Sequence, residues 1–127
     1  MDSNSDLNIE EDATLEIYVD GAIVLNSNTT INNDTHDPAN LKIYGTDSMV
    51  DNGTTPAIQL NSNSDIYATV HAKNATVSLD SNVDIYGAVL SNKINMNSHA
   101  CVHYDVALNS GGSATGADAS VTLWQER

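Results

Sequence analysis

The sequence predicts an all-β protein, wound as a single-stranded parallel β-helix taken as right-handed, with about five coils, two ejected loops and a C-terminal capping strand. Three observations predict it. First, three lines overlay: Leu60 to Tyr67, Leu79 to Tyr86 and Met96 to His103 begin 19 and 17 residues apart, and in each the leading apolar residue lies six before an Ile or Val. A fixed period with constant internal spacing marks a repeat architecture, and this period suits one coil of two or three short strands. Second, each line carries a short polar corner, Asn61-Ser62-Asn63, Asp80-Ser81-Asn82 or Asn97-Ser98-His99. Such side chains bond to nearby backbone and tolerate left-handed geometry, so they turn a chain. Third, no stretch shows helical periodicity. An antiparallel sandwich would leave the three matched corners without a reason.

The elements follow in order. Residues 1–6 are polar and read as frayed, and Leu7-Asn8-Ile9 reads as a short strand. Leu15 to Val19 alternates cleanly and is closed by Asp20-Gly21, a strong turn pair. Ala22 to Leu25 follows, and Asn26-Ser27-Asn28 is the first corner. Residues 32–40 lack periodicity and contain Pro38, which a central strand excludes, so they read as a loop. Leu41 to Gly45 is a strand, 46–56 a second loop with local pairing at 48–50, and Ala57 to Leu60 a return to the coils. Ala68 to Val70, Ala75 to Leu79, Gly87 to Leu90 and Lys93 to Met96 complete later coils, and residues 105–108 end them. The regular coils thus span 15–108 of a single domain, 1–127. A Gly/Ser-rich loop is expected at 109–119, and a capping strand at 120–124 carries the only Trp, Trp124. Within the coils, Ile66, Ile85 and Val102 should stack as one inner ladder, and Leu60, Leu79 and Met96 as another.

The net charge of −13, with four Lys/Arg against 17 Asp/Glu, argues against nucleic acid and anionic membrane surfaces as partners. Phe is absent and Asn and Ser abound, yet the 40% hydrophobic fraction supports a thin core. One cysteine, Cys101, excludes an intrachain disulfide. No segment reads as a transmembrane helix, and the first residues lack the basic and apolar regions of a signal peptide. An exported chain would then carry its targeting segment elsewhere.

Several motifs support a family resemblance. Tyr18-Val19-Asp20-Gly21, Asn26-Ser27-Asn28, Leu41-Lys42-Ile43-Tyr44-Gly45, Ile85-Tyr86-Gly87-Ala88-Val89, Val102-His103-Tyr104-Asp105, Ala107-Leu108 and the closing Trp124-Gln125-Glu126 resemble the C-terminal domain of PilX-type pilus assembly proteins. Similar Asn-Ser-Asn coils occur in mannose-sensitive haemagglutinin pilus systems. The resemblance covers nearly the whole chain. It implies an extracellular β-helical module at a bacterial cell surface, following a hydrophobic pilin-like helix, with pilus subunits or surface glycans as partners.

Candidate chemistry is sparse. Tyr44, Tyr67 and Tyr86 directly follow inward isoleucines, so alternation should point them outward as one aromatic strip, about 4.8 Å per coil, with His103 next. That strip is the candidate binding site for a sugar, a pilin neighbour or a second copy. The alternative is that loops 32–40 and 46–56 fold over the strip and bury it. His99, Cys101 and His103 alternate, with Asp105 continuing the row; they are of metal-ligating type, but same-side neighbours on one strand lie about 6.6 Å apart and do not converge. Asn33, Asp34, Asp37, Asp47, Asp51 and Asn52 are calcium-ligand types without an EF-hand or β-roll spacing, and Asp65 and Asp84 should stack. No cofactor is expected, with Ca2+ the one cation the acids suggest. No nucleophile–base pair, phosphate loop or paired catalytic carboxylates emerge, so no enzyme is expected. The expected function is a non-catalytic extracellular structural or adhesion module of a type IV pilus system. The alternatives are a carbohydrate-binding or carbohydrate-cleaving β-helix and a self-polymerising scaffold like bactofilins. The oligomeric state stays open.

Overall fold

The computed structural model describes residues 5–26, 29–53, 55–61, 65–80 and 82–109. The Gly/Ser loop beyond Asn109, the capping strand at 120–124 and parts of three corners (residues 27–28, 62–64 and 81) lie outside the described residues.

The described chain is all-β with parallel sheets. Its strands are β1 (Asp6–Ile9), β2 (Leu15–Val19), β3 (Ile23–Leu25), β4 (Thr30–Asn33), β5 (Leu41–Gly45), β6 (Ile58–Leu60), β7 (Asp65–Leu79), β8 (Asp84–Met96) and β9 (Cys101–Tyr104). Two short 3-10 turns, Pro38–Asn40 and Val106–Asn109, are its only helical pieces among the described residues. β1 and β4 form a sheet of their own, and the other seven strands form a second sheet, in which β2–β5–β7 and β3–β6–β7 both converge on β7. Every named ladder is parallel.

The two expected inner ladders are present. Ile66 pairs with Ile85, and Ile85 with Val102. Leu25 pairs with Leu60, Leu60 with Leu79, and Leu79 with Met96. Two further ladders lie beside them, Ile17–Ile43–Val70–Val89 and Ile23–Ile58–Val77–Ile94. Successive side chains of a strand point to opposite faces, so one apolar residue in two builds a core. Parallel sheets buried on both faces read as continuous apolar runs. Here the alternation survives in β2 and in residues 65–72 of β7, and lapses at residues 75–79, which are buried on both faces. Ile43, Ile58, Leu60, Ile66, Val77, Leu79 and Ile85 are all at most 2% exposed. At the last rung Ile94 and Met96 are 41% and 48% exposed, because no further described strand lies on them.

The corners hold as expected where they are described. The N–H groups of Asn61, Asp80 and Asn97 donate to the carbonyls of Leu25, Leu60 and Leu79, one rung back, at 3.0, 2.9 and 2.9 Å. Asn97 Nδ2 also donates to Asp80 Oδ1 at 2.8 Å. Asn82, Ser98 and His99 take positive φ of 59°, 51° and 65°, the left-handed geometry a corner needs.

Several boundaries differ from expectation, among them the strands expected at 87–90 and 93–96, which are one strand, β8. The strand expected at 7–9 is β1, Asp6–Ile9, and it already lies on β4, so parallel pairing starts before the coils expected from residue 15. Asn32 and Asn33 belong to β4, so the first loop starts at Asp34. Residues 48–50 do not pair; the local bridge is Asn52 with Thr55, while Met49 turns inward and is 1% exposed. The strands expected at 68–70 and 75–79 are one strand, β7, with an irregularity between Ala72 and Thr76. No helix of the described residues is long and apolar enough to cross a membrane.

Candidate functional site

The outward side chains of β2, β5, β7, β8 and β9 carry the aromatic residues. Register assigns them to two columns rather than to the single expected strip. Tyr44 pairs with Tyr18 on one side and with His71 on the other, not with Tyr67. Tyr67 pairs with Tyr86, and Tyr86 with His103. The cause is the length of β7. Its residues 69–71 lie on β5, whereas its first residues pair only with β8, so the Ile-Tyr of β5 and the Ile-Tyr of β7 sit at different register positions in the sheet.

Tyr18–Tyr44 and Tyr67–Tyr86–His103 are stacked, while His71 is tilted against Tyr44. Tyr18 and Tyr44 rings are 5.0 Å apart at 18°, and His71 meets Tyr44 at 6.2 Å and 59°. Tyr67 and Tyr86 are 4.8 Å apart at 15°, and Tyr86 and His103 are 4.6 Å apart at 13°. Rings this close leave no room for a ligand between their faces. The second column therefore presents ring edges and hydroxyls outward, and its faces are spent on one another. Tyr18, 66% exposed, keeps one face open at the start of the first column. Its hydroxyl donates to Glu16 Oε2 at 3.0 Å, and Lys42 Nζ reaches Glu16 Oε1 at 3.2 Å. The first contact raises the Tyr18 hydroxyl above the ordinary tyrosine value; together the two lower the Glu16 carboxyl. Partial burial, followed by the Asp65 and Asp84 carboxylates, likewise raises the Tyr86 hydroxyl.

One of the two loops reaches the tyrosines. Asn33, 3% exposed, donates from Nδ2 to the carbonyls of Asp37 at 2.8 Å and Tyr67 at 3.0 Å. Thr35 Oγ1 donates to Asn33 Oδ1 at 2.6 Å, and Asp37 Oδ1 accepts from Ala39 N at 2.9 Å. The pinned loop lays the edge of His36 on Tyr67, centroids 4.7 Å apart at 82°. Beside it opens a polar pocket of about 210 Å3, walled by Asn33, Asp34, His36, Asp65 and Tyr67. Loop 46–56 lies elsewhere. Asp51 accepts from Thr76 N at 2.8 Å, Thr76 Oγ1 at 2.6 Å and Ala57 N at 3.1 Å, and these bonds hold its carboxyl below the ordinary aspartate value. Asp47 pairs with Lys73 at 2.8 Å. Of the calcium-type residues, Asn33, Asp37, Asp47 and Asp51 thus have protein partners.

The metal-type residues regroup as well. His99 lies in the positive-φ corner and Asp105 beyond the end of β9. Instead, Cys101 and His103 share their face with Asp84, which pairs with Cys101 across β8 and β9. One potential donor atom from each of the three lies within 4.8 Å of the others, and His103 Nε2 stands 3.6 Å from Asp84 Oδ1. The overlay of the three lines carried this signal, since Asp65, Asp84 and Cys101 hold the same place in each.

Comparison with curated proteins and with solved structures gives no match. Residues 1–110 match the family model described as a domain of unknown function, DUF7305. The match spans every described strand, and the chain belongs to the DUF7305 family.

Proposed function

We propose that the chain is a non-catalytic structural and adhesive module, wound as a right-handed parallel β-helix and displayed outside the cell in a type IV pilus system. The observation that carries the reading is the in-register stacking of like on like. Inner ladders of Ile, Leu and Val repeat at one-coil intervals, and the outer tyrosines brace the same rungs. Rings engaged with one another serve rigidity, and the hydroxyl edges and carboxylates between them form a hard polar contact face. The resemblance to PilX-type domains supports the location and the pilus partner.

Duplication tests the winding. Inserting a second copy of residues 80–96 adds one coil to a β-helix, whose stability is a sum over neighbouring coils. The longer chain should stay folded and unfold with a larger denaturant dependence; an aggregated or molten product would refute it. Adhesion tests the role. Beads coated with the domain should bind pili sheared from the source cells. The Tyr67→Ser, Tyr86→Ser double variant should lose thermal stability while binding equally well per folded molecule. Turnover of any polysaccharide by the parent would overturn the non-catalytic reading.

One observation favours a second reading, glycan binding. The pocket beside Tyr67 is polar and walled by Asp34, His36 and Asp65. Acidic walls of this kind favour neutral or amino sugars over uronic acids. A glycan array separates the two readings, since binding abolished by Asp34→Asn with Asp65→Asn would assign the pocket to sugar.

A further inference from the structure

We propose that Asp84, Cys101 and His103 form a zinc site that clamps β9 to β8. The three side chains leave the same face of two adjacent parallel strands. Asp84 and Cys101 are directly paired, and His103 is the next outward residue after Cys101. Their donor set is one carboxylate oxygen, one sulfur and one imidazole nitrogen, the types that zinc takes in tetrahedral sites. A hard cation such as Ca2+ or Mg2+ would find a single carboxylate among the three, which is too few oxygen ligands.

The distances fit. Zinc holds nitrogen and oxygen at about 2.0–2.2 Å and sulfur at about 2.3 Å, so tetrahedral ligand atoms stand about 3.3–3.6 Å apart. His103 Nε2 and Asp84 Oδ1 are at 3.6 Å already. The whole set lies within 4.8 Å, so closing it around an ion takes about 1 Å of side-chain movement at a surface position. Asp84 is a third exposed and Cys101 is exposed, so both can turn toward an ion at the His103 nitrogen without disturbing the core.

The surroundings support the set. The His103 ring lies flat on Tyr86 at 4.6 Å and 13°, which restricts its orientation. A ligand oriented by packing binds its ion at a lower ordering cost. Asp65, paired with Asp84 one rung back, adds negative potential, as does the chain's net charge of −13. Water completes the fourth position, as it does in three-ligand zinc centres.

The test uses the full chain, stripped with a chelator and kept reduced. Co2+ is the optical probe and Zn2+ the competitor. One Co2+ should bind per chain with a sulfur-to-cobalt charge-transfer band, and Zn2+ should displace it. Cys101→Ser should abolish the band. His103→Phe keeps a ring on Tyr86 while removing the nitrogen, so a folding defect is not confounded with ligand loss. It and Asp84→Asn should each weaken Zn2+ binding at least tenfold. Zn2+ should raise the thermal midpoint of the parent and not that of His103→Phe. Absence of binding to the parent, a spectrum without the sulfur band, or affinity changed less than tenfold in His103→Phe would each overturn the site.

Discussion

Gly87 is the position where one methyl group should be felt most. Its φ is +149°, a region that residues with a Cβ rarely adopt. A Cβ built there would stand 2.0 Å from the Ala68 carbonyl oxygen, 2.9 Å from that carbonyl carbon and 2.9 Å from Pro38 Cβ. The carbonyl belongs to the paired backbone of β7, so it cannot swing aside as a side-chain tip would. Gly87→Ala therefore combines backbone strain of about 1–3 kcal/mol with overpacking of about 1–3 kcal/mol. A loss of about 2–6 kcal/mol lowers the unfolding midpoint by roughly 8–24 °C for a chain of this length. Gly53 is the control. It too has a positive φ, +64°, but nothing lies within 4 Å of its built Cβ. Gly53→Ala meets only the backbone penalty, partly offset by the reduced entropy of the unfolded chain, for a net loss of about 1 kcal/mol. Calorimetry and urea titration of both variants decide the matter. A Gly87→Ala protein no less stable than Gly53→Ala would show that β7 and β8 are not packed as described.

Three further outcomes are expected. Ile85→Asp, at a position 0% exposed between Ile66 and Val102, buries an unpaired charge and should leave no cooperative unfolding transition by circular dichroism. Asp51→Ala removes the acceptor of three hydrogen bonds from Thr76 and Ala57 and should cost roughly 1–3 kcal/mol in urea at pH 7. Because the folded state holds the Asp51 carboxyl below the ordinary value of 3.8, its contribution is complete above that pH and fades as pH falls through the lower, folded value; the gap between parent and Asp51→Ala should narrow accordingly in acid. Tyr86→Ser, which removes a ring stacked on both sides, should lower the thermal midpoint more than Tyr18→Ser, whose ring is stacked on one side.

The inner ladders were legible because a constant period leaves only one way to lay Leu60 on Leu79 and Ile66 on Ile85. The corners were legible for the same reason, with Asn61, Asp80 and Asn97 one rung apart. The aromatic columns were not. Ile43-Tyr44 and Ile66-Tyr67 look equivalent, yet the first lies on Ile17-Tyr18 and the second on Ile85-Tyr86. Register belongs to paired backbone, and a two-residue motif loses count of it across inserted loops. Loops 34–40 and 46–57 separate the early strands, so the pairing of β5 with residues 69–71 could not be counted from spacing. The Asp84–Cys101–His103 group was missed because His99, Cys101 and His103 were read along one strand, whereas the third member comes from the strand beside it.

The unequal ladders at the C-terminal end have a mechanical consequence. β9 is held to β8 through four paired positions, while β8 is held to β7 through twelve. Among the described residues, tension drawn through β9 meets the four-position ladder before the twelve-position one. Each residue released lengthens the tether by about 3.3 Å, so β9, the last described strand, yields as slack before the longer ladder bears any strain. A metal ion bridging Cys101 and His103 to Asp84 would convert that first yielding point into a latch.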